Sequence, residues 1–377
     1  MTHTLGTCDA RFDRVRRIFQ RNIDTGDDVG ASVSIIVDGR TVVDLWGGHR
    51  DAERTTEWTA DTVVPVHSTT KTMVALCALI LVERGQLDPY APVTDYWPEF
   101  GQNGKDDIRV RHLMSHTSGL SGWAHPVEPG DVYDWPKAIN MLERQAPWWE
   151  PGTASGYHLL SYNHLVGSLV ERVSGRSIRD FFVSEVAQPL GADYSFGIDD
   201  TTAGRVAEMI PFDSPPLDFA SIDPASVMMR TFTGPLLLGY ARDSSSHTAP
   251  LPMNGLANAR SIARAQAVVS HGGEFDGVRL LSPGTIDKIF DIQSDGTDLV
   301  LGVPVTFGIG YAMPNVAWPR TPRGRTCWWA GMGGSLVVNS LEHRMTFAYA
   351  MNRMHGALVG DHRSFDMLTA ALEVLES

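Results

Sequence analysis

The 377-residue chain is 43% hydrophobic and 20% charged and carries a formal net charge of −13. That balance supplies a large core or two lobes and excludes disordered and fibrous classes. No basic stripe offsets the negative charge, which excludes nucleic acid and acidic membrane surfaces as partners.

In chain order, the first expected element is an amphipathic helix from about Asp9 to Ile23. Residues Met1 to Ile23 hold no apolar run of the kind that directs secretion. Three widely spaced cysteines, Cys8, Cys77 and Cys327, read as reduced thiols rather than a disulfide framework. A cytoplasmic location is the expectation. Ala31–Val37 and Thr41–Trp46 flank Asp38-Gly39, the turn of a tightly paired antiparallel hairpin.

Ser68-Thr69-Thr70-Lys71 then stands at the mouth of the run Met73 to Val82, bounded by Pro65 and Gly85. A run with no polar face predicts a buried helix, and it is too short to cross a bilayer. A serine in the first turn lies in the field of unpaired backbone N–H groups. A lysine three residues on shares its helical face, with β-carbons roughly 5–6 Å apart. Desolvation weakens the ammonium's hold on its proton, so the amine is able to accept the serine proton. The four-residue pattern alone is common by chance. Its place at the start of a buried helix gives it weight, because such a helix seldom accepts a lysine.

Pro147 to Thr153 leads into Gly156-Tyr157-His158 and a helical pattern through Leu165, Leu169 and Val173. A tyrosine on the loop before a helix is placed to share a proton with the lysine. The Pro-, Ser- and Met-rich segment Asp213–Pro252 reads as a long loop between lobes. Toward the end of the chain, Gly308–Ala312, Cys327–Ala330, Ser335–Asn339 and Met345–Ala350 read as short strands, and Phe365–Leu375 as a closing helix. Trp329-Ala330-Gly331-Met332-Gly333-Gly334-Ser335 is a glycine-rich break where backbone N–H groups can face an oxyanion. Strands at both ends and helices between predict one antiparallel sheet built from the two termini, with a mainly helical lobe inserted. The expected boundaries are 1–80 with 255–377 for the sheet lobe and 81–254 for the insertion, with the site between them.

This set of motifs, together with Leu113-Met114-Ser115-His116-Thr117-Ser118-Gly119-Leu120, Val43 to Gly48 and Asn258 to Ser261, resembles the class C β-lactamase-like serine hydrolases. Within them it looks most like the family VIII carboxylesterases. The likeness runs from about Gly30 to Met354. It implies a two-lobed β-lactamase/penicillin-binding-protein-like α/β fold, with Ser68 as nucleophile, Lys71 as its base or proton partner and Tyr157 as general acid/base. It further implies an oxyanion hole from the Ser68 and Met332 amides, and it sets Trp329-Ala330-Gly331 where many relatives carry Lys-Thr-Gly. Two departures stand out. Tyr157-His158-Leu159 replaces Tyr-x-Asn, and Trp329 replaces a lysine that grips a β-lactam carboxylate. Both favour neutral, apolar esters.

The expected function is hydrolysis of a small-molecule carboxylic ester through an acyl-enzyme. Acyl transfer to an alcohol or amine, weak β-lactamase action and a penicillin-recognising or scaffolding role without turnover are the alternatives. No cofactor and no metal is implied. Tyr162 reads as core, and His67, His112 and His116 as structural. Trp123, Trp135, Trp148 and Trp149, with Met228, Met229 and Phe232, read singly as core and together as a pocket lining; Trp123, Trp149, Trp329 and Gly331 are the substrate-binding candidates.

Overall fold

The computed structural model describes residues 3–124, 127–213, 219–232, 254–318, 320–357 and 359–377. Strands β1 (Leu5–Cys8), β2 (Gly30–Val37), β3 (Arg40–Gly48), β4 (Ser294–Thr297), β5 (Pro304–Phe307), β6 (Ala312–Met313), β7 (Thr326–Ala330), β8 (Leu336–Ser340) and β9 (Met345–Met351) form one antiparallel sheet. Its order is β1-β3-β2-β9-β8-β7-β6-β5-β4. The join between chain ends is central: β2 pairs with β9 from Val37 opposite Met345 to Ala31 opposite Met351. The sheet from two termini is therefore present.

Side-chain alternation along β9 decides what lies on each face. Thr346 bonds Ser270 in helix α5 at 2.7 Å. Ala348 and Ala350 share that face, and their small size admits the helix closely. Tyr349 points the other way and donates to Asp28 at 2.6 Å. Helices α1 (Asp13–Thr25) and α6 (His362–Leu375) pack against one another, while α5 (Ala259–Ser270) lies on β2, β8 and β9. In β2, Ser32 accepts the amide of Ala259, which opens α5.

Helix α2 (Thr70–Glu83) is buried along nearly its whole length. It contacts α5 on the sheet side and α4 (Ser161–Ser174) in the inserted segment, which accounts for its lack of a polar face. Helix α3 (Trp135–Arg144) also packs on α4.

Two expectations change. Gly308–Ala312 is not a strand; β6 begins only at Ala312, and the glycines before it form the turn from β5, closed by Gly308 N donating to Tyr311 O at 2.9 Å. Of the presumed loop Asp213–Pro252, residues 214–218 and 233–252 lie outside the described residues, and the remainder includes a helix at Val227–Phe232. Strands β1, β4 and β5 were not anticipated. The edge strand β4 reads Ser-Asp-Gly-Thr and lacks the apolar alternation that marks inner strands.

Candidate active site

Ser68 lies in a one-turn 3₁₀ segment, His67–Thr69, that feeds directly into α2. It is partly exposed although its neighbours are buried. His67, beside Ser68, takes a positive φ of 46°, an uncommon conformation for a side-chain-bearing residue. Lys71, in the first turn of α2, brings Nζ to 3.0 Å from Ser68 Oγ and donates to the Leu159 carbonyl at 2.8 Å. The main chain at Leu159 thus supplies an acceptor at the position where the family pattern has Asn. Among the described residues no carboxylate pairs with Lys71. Desolvation without a counter-ion draws its pKa down to about 7.

Tyr157 enters from the loop before α4. Its hydroxyl bonds Ser68, and it accepts the Trp329 indole N–H at 2.9 Å. Burial holds the phenol well above its ordinary pKa, and these two hydrogen bonds pull in the opposite direction. Lys71 Nζ lies 4.9 Å from the centre of the Tyr157 ring. Ser68, Lys71, Tyr157 and Trp329 therefore form one continuous cluster.

The tyrosine is held through its backbone. Asp298, fully buried, accepts the amides of Tyr157, Val300 and Leu301 on Oδ1 at 3.0, 2.9 and 2.9 Å. A lone acid before Leu299-Val300-Leu301 carries no recognisable motif, so only the fold reveals its link to Tyr157.

The glycine-rich break follows β7. Gly331 N donates to Ser335 O at 2.8 Å and Gly334 N to Gly331 O at 3.1 Å. Ser335 Oγ donates to Val66 O at 2.8 Å and bonds Thr69 Oγ1 at 3.0 Å, which ties the break to the turn that carries Ser68. A Cβ on Gly331 would lie 2.3 Å from both Val66 O and Ser335 Oγ and 3.2 Å from Ser68 N. Only glycine fits there. Among the described residues neither the Ser68 nor the Met332 amide donates a hydrogen bond.

The other aromatic candidates lie around this cluster. Trp149 donates to Ala154 O at 2.9 Å and packs over Gly156, where a Cβ would meet the indole at 2.4 Å. Trp123 donates to Ala138 O at 3.0 Å and shares a small pocket with Leu159, Leu160 and Thr231. His116 is buried among Tyr157, Tyr162, Phe307 and His158, and its Nδ1 accepts the His158 amide at 3.1 Å. His112 accepts the Arg109 amide at 3.2 Å. His158 bonds Ser118 at 2.6 Å. Burial keeps all three imidazoles below their ordinary pKa.

The sequence profile of the Beta-lactamase family matches residues 15–371. The chain belongs to the β-lactamase family. Within it, the chain is 33% identical to the esterase/β-lactamase LipL of Mycobacterium tuberculosis over 380 aligned residues, covering 96% of this chain and 86% of the relative. A family VIII carboxylesterase superposes with a TM-score of 0.91 at 35% identity, over 99% of this chain and 100% of the other. A penicillin-binding protein homologue from Caulobacter crescentus gives 0.92 at 33% identity, over 98% and 99%. The two-lobed β-lactamase-like fold expected from the motifs is thus the fold of this family member. Among the described residues no helix is long and apolar enough to cross a membrane.

Proposed function

We propose that this protein is a serine carboxylesterase that cleaves neutral small-molecule esters through an acyl-enzyme on Ser68. The observation that carries the proposal is Lys71 Nζ at 3.0 Å from Ser68 Oγ, buried and, among the described residues, without a counter-ion. At neutral pH a lysine titrating at about 7 is neutral in a large fraction of molecules, whereas a phenol raised by burial stays protonated. The roles follow from that difference. Lys71 takes the Ser68 proton as Oγ attacks the ester carbonyl. The amides of Ser68 and Met332 meet the developing oxyanion. Tyr157 gives its proton to the departing alcohol and is reprotonated by the Lys71 ammonium. Water, deprotonated through the same pair, then releases the acid and restores Ser68.

Trp329 supports the substrate assignment as well as the relay. Its N–H is committed to Tyr157, and an indole offers no cation to a β-lactam carboxylate. The names of the esterase and carboxylesterase relatives agree with ester cleavage. A reducing, cytoplasmic setting belongs to the same proposal, supported by three unpaired thiols.

Treatment with a fluorophosphonate, followed by peptide mass analysis, tests the assignment. We expect one phosphonyl group on Ser68, and no labelling or ester turnover in folded Ser68→Ala. A phosphonylated serine elsewhere would refute it. Comparable specificity constants for short neutral esters and carboxylate-bearing cephalosporins would refute the substrate class alone.

A further inference from the structure

Arg363 lies in the first turn of the closing helix α6, is 1% exposed, and is not used by the ester chemistry above. All five of its N–H groups are committed. Nε and one terminal nitrogen grip Asp361 at 3.0 and 2.7 Å. The other terminal nitrogen reaches Asp28 and the Arg353 carbonyl, both at 2.8 Å. The remaining donor goes to the carbonyl of Gly333 at 2.7 Å, inside the glycine-rich break. Tyr349 closes the cluster by donating to Asp28 at 2.6 Å. Burying one guanidinium with two carboxylates is costly, and such clusters add little stability over apolar packing.

Their geometry reaches the oxyanion side of the site in two bonds. Gly333 O is fixed by Arg363 and by the His355 amide at 3.0 Å. Gly334 lies directly on the cluster: at φ 129°, a Cβ there would sit 2.3 Å from Asp361 Oδ2 and 2.5 Å from an Arg363 nitrogen. Gly334 N in turn holds Gly331 O at 3.1 Å. The Gly331–Met332 peptide is planar and trans, so turning its carbonyl into the break sends the Met332 N–H out of it. We propose that Arg363 is a positioning residue that aims the Met332 amide at the oxyanion through Gly333 and Gly334. This rests on the proposed role of that amide in ester cleavage.

Arg363→Lys tests it, because an ammonium keeps the charge but cannot reproduce the planar fork. The readout is the rate ratio between an ester and its thiono analogue, whose sulfur accepts hydrogen bonds poorly, so the ratio reports how well the donors are aimed. We expect folded Arg363→Lys, still phosphonylated at Ser68, to lose roughly 10- to 100-fold in kcat for the ester with little change in KM. The ester-to-thionoester ratio should fall by a similar factor. A wild-type ratio in the folded variant would overturn the positioning role. A ratio near one in the wild-type enzyme would overturn the oxyanion reading itself, and this inference with it. Should Arg363→Lys fail to fold, Tyr349→Phe decides, since it removes only the bond to Asp28: a reduced ratio supports the proposal and an unchanged one overturns it.

Discussion

Ser68 and Lys71 meet because they are three residues apart at the start of one buried helix, whereas Tyr157 and Trp329 meet across 172 residues of chain. The first pair needs only a helical turn to keep its geometry. The second exists only when the inserted segment and the late strands are both in place; Asp298 holds the Tyr157 backbone, and Ser335 and Arg363 brace the glycine-rich break that follows the Trp329 strand. Chemistry that is local in sequence is thus set by secondary structure. The non-local part is set by packing, and is the part that distant substitutions will disturb.

The largest effect tests whether the two halves act as one unit. Lys71→Met should lower kcat by on the order of 10³-fold or more, Tyr157→Phe by a similar factor, and the double variant by little beyond either. Losses that multiply would mean separate proton paths. The pH dependence sharpens the same point. Only neutral Lys71 accepts a proton, so kcat/KM should rise with pH through about 7, far below an exposed lysine at roughly 10.4. The stability sign is fixed as well. Between about 7 and the ordinary lysine value the unfolded chain binds more protons than the folded one, so this group makes stability rise with pH across that window. Chemical denaturation of Lys71→Met should show a flatter slope there.

A smaller loss is expected at the junction between the halves. Trp329→Phe removes the indole N–H bonded to the Tyr157 oxygen, and if Tyr157 is the proton donor this is a bond to a developing anion worth about 1.5 kcal/mol, or roughly tenfold in kcat. Burial then acts on Tyr157 with less opposition and holds its phenol still further above its ordinary pKa. An unchanged kcat with weakened KM would instead assign Trp329 to substrate contact alone.

How much of this was legible in the sequence follows the same division. The Asp38-Gly39 hairpin, the buried helix with Ser68 and Lys71, strands β7 to β9 and the glycine-rich break were readable because each is encoded by neighbours: turn chemistry, apolar runs, helical spacing. Tyr157 was readable through its motif, whereas composition and periodicity do not distinguish it from Tyr162. The acceptor for Lys71 was not readable at all, since a main-chain carbonyl at Leu159 leaves no signature in residue type. Nor was the indole bond from Trp329, which the sequence presents only as the absence of a lysine. Asp298 and Arg363 escaped notice because a buried charge is conspicuous only once burial is known.

The smallest expected effect separates an acceptor from the carboxyl group at Asp298. Its Oδ1 collects three amides, one of them from Tyr157, so what the site needs there is an acceptor at that point. Asp298→Asn keeps a carbonyl oxygen in place and should cost only a few-fold in kcat, about 1 kcal/mol for weaker neutral bonds. Asp298→Ala leaves three buried N–H groups without their acceptor, and it should cost more in both kcat and thermal stability. That order, Asn mild and Ala severe, identifies a residue that holds the tyrosine's backbone. If Asn and Ala are equally damaging, an acceptor at Oδ1 is not sufficient and the carboxyl group itself is what the site needs, although burial raises its pKa. The two variants, assayed for kcat across pH, therefore tell whether the remote half of the site is supported by an acceptor at that point or by the carboxyl group itself.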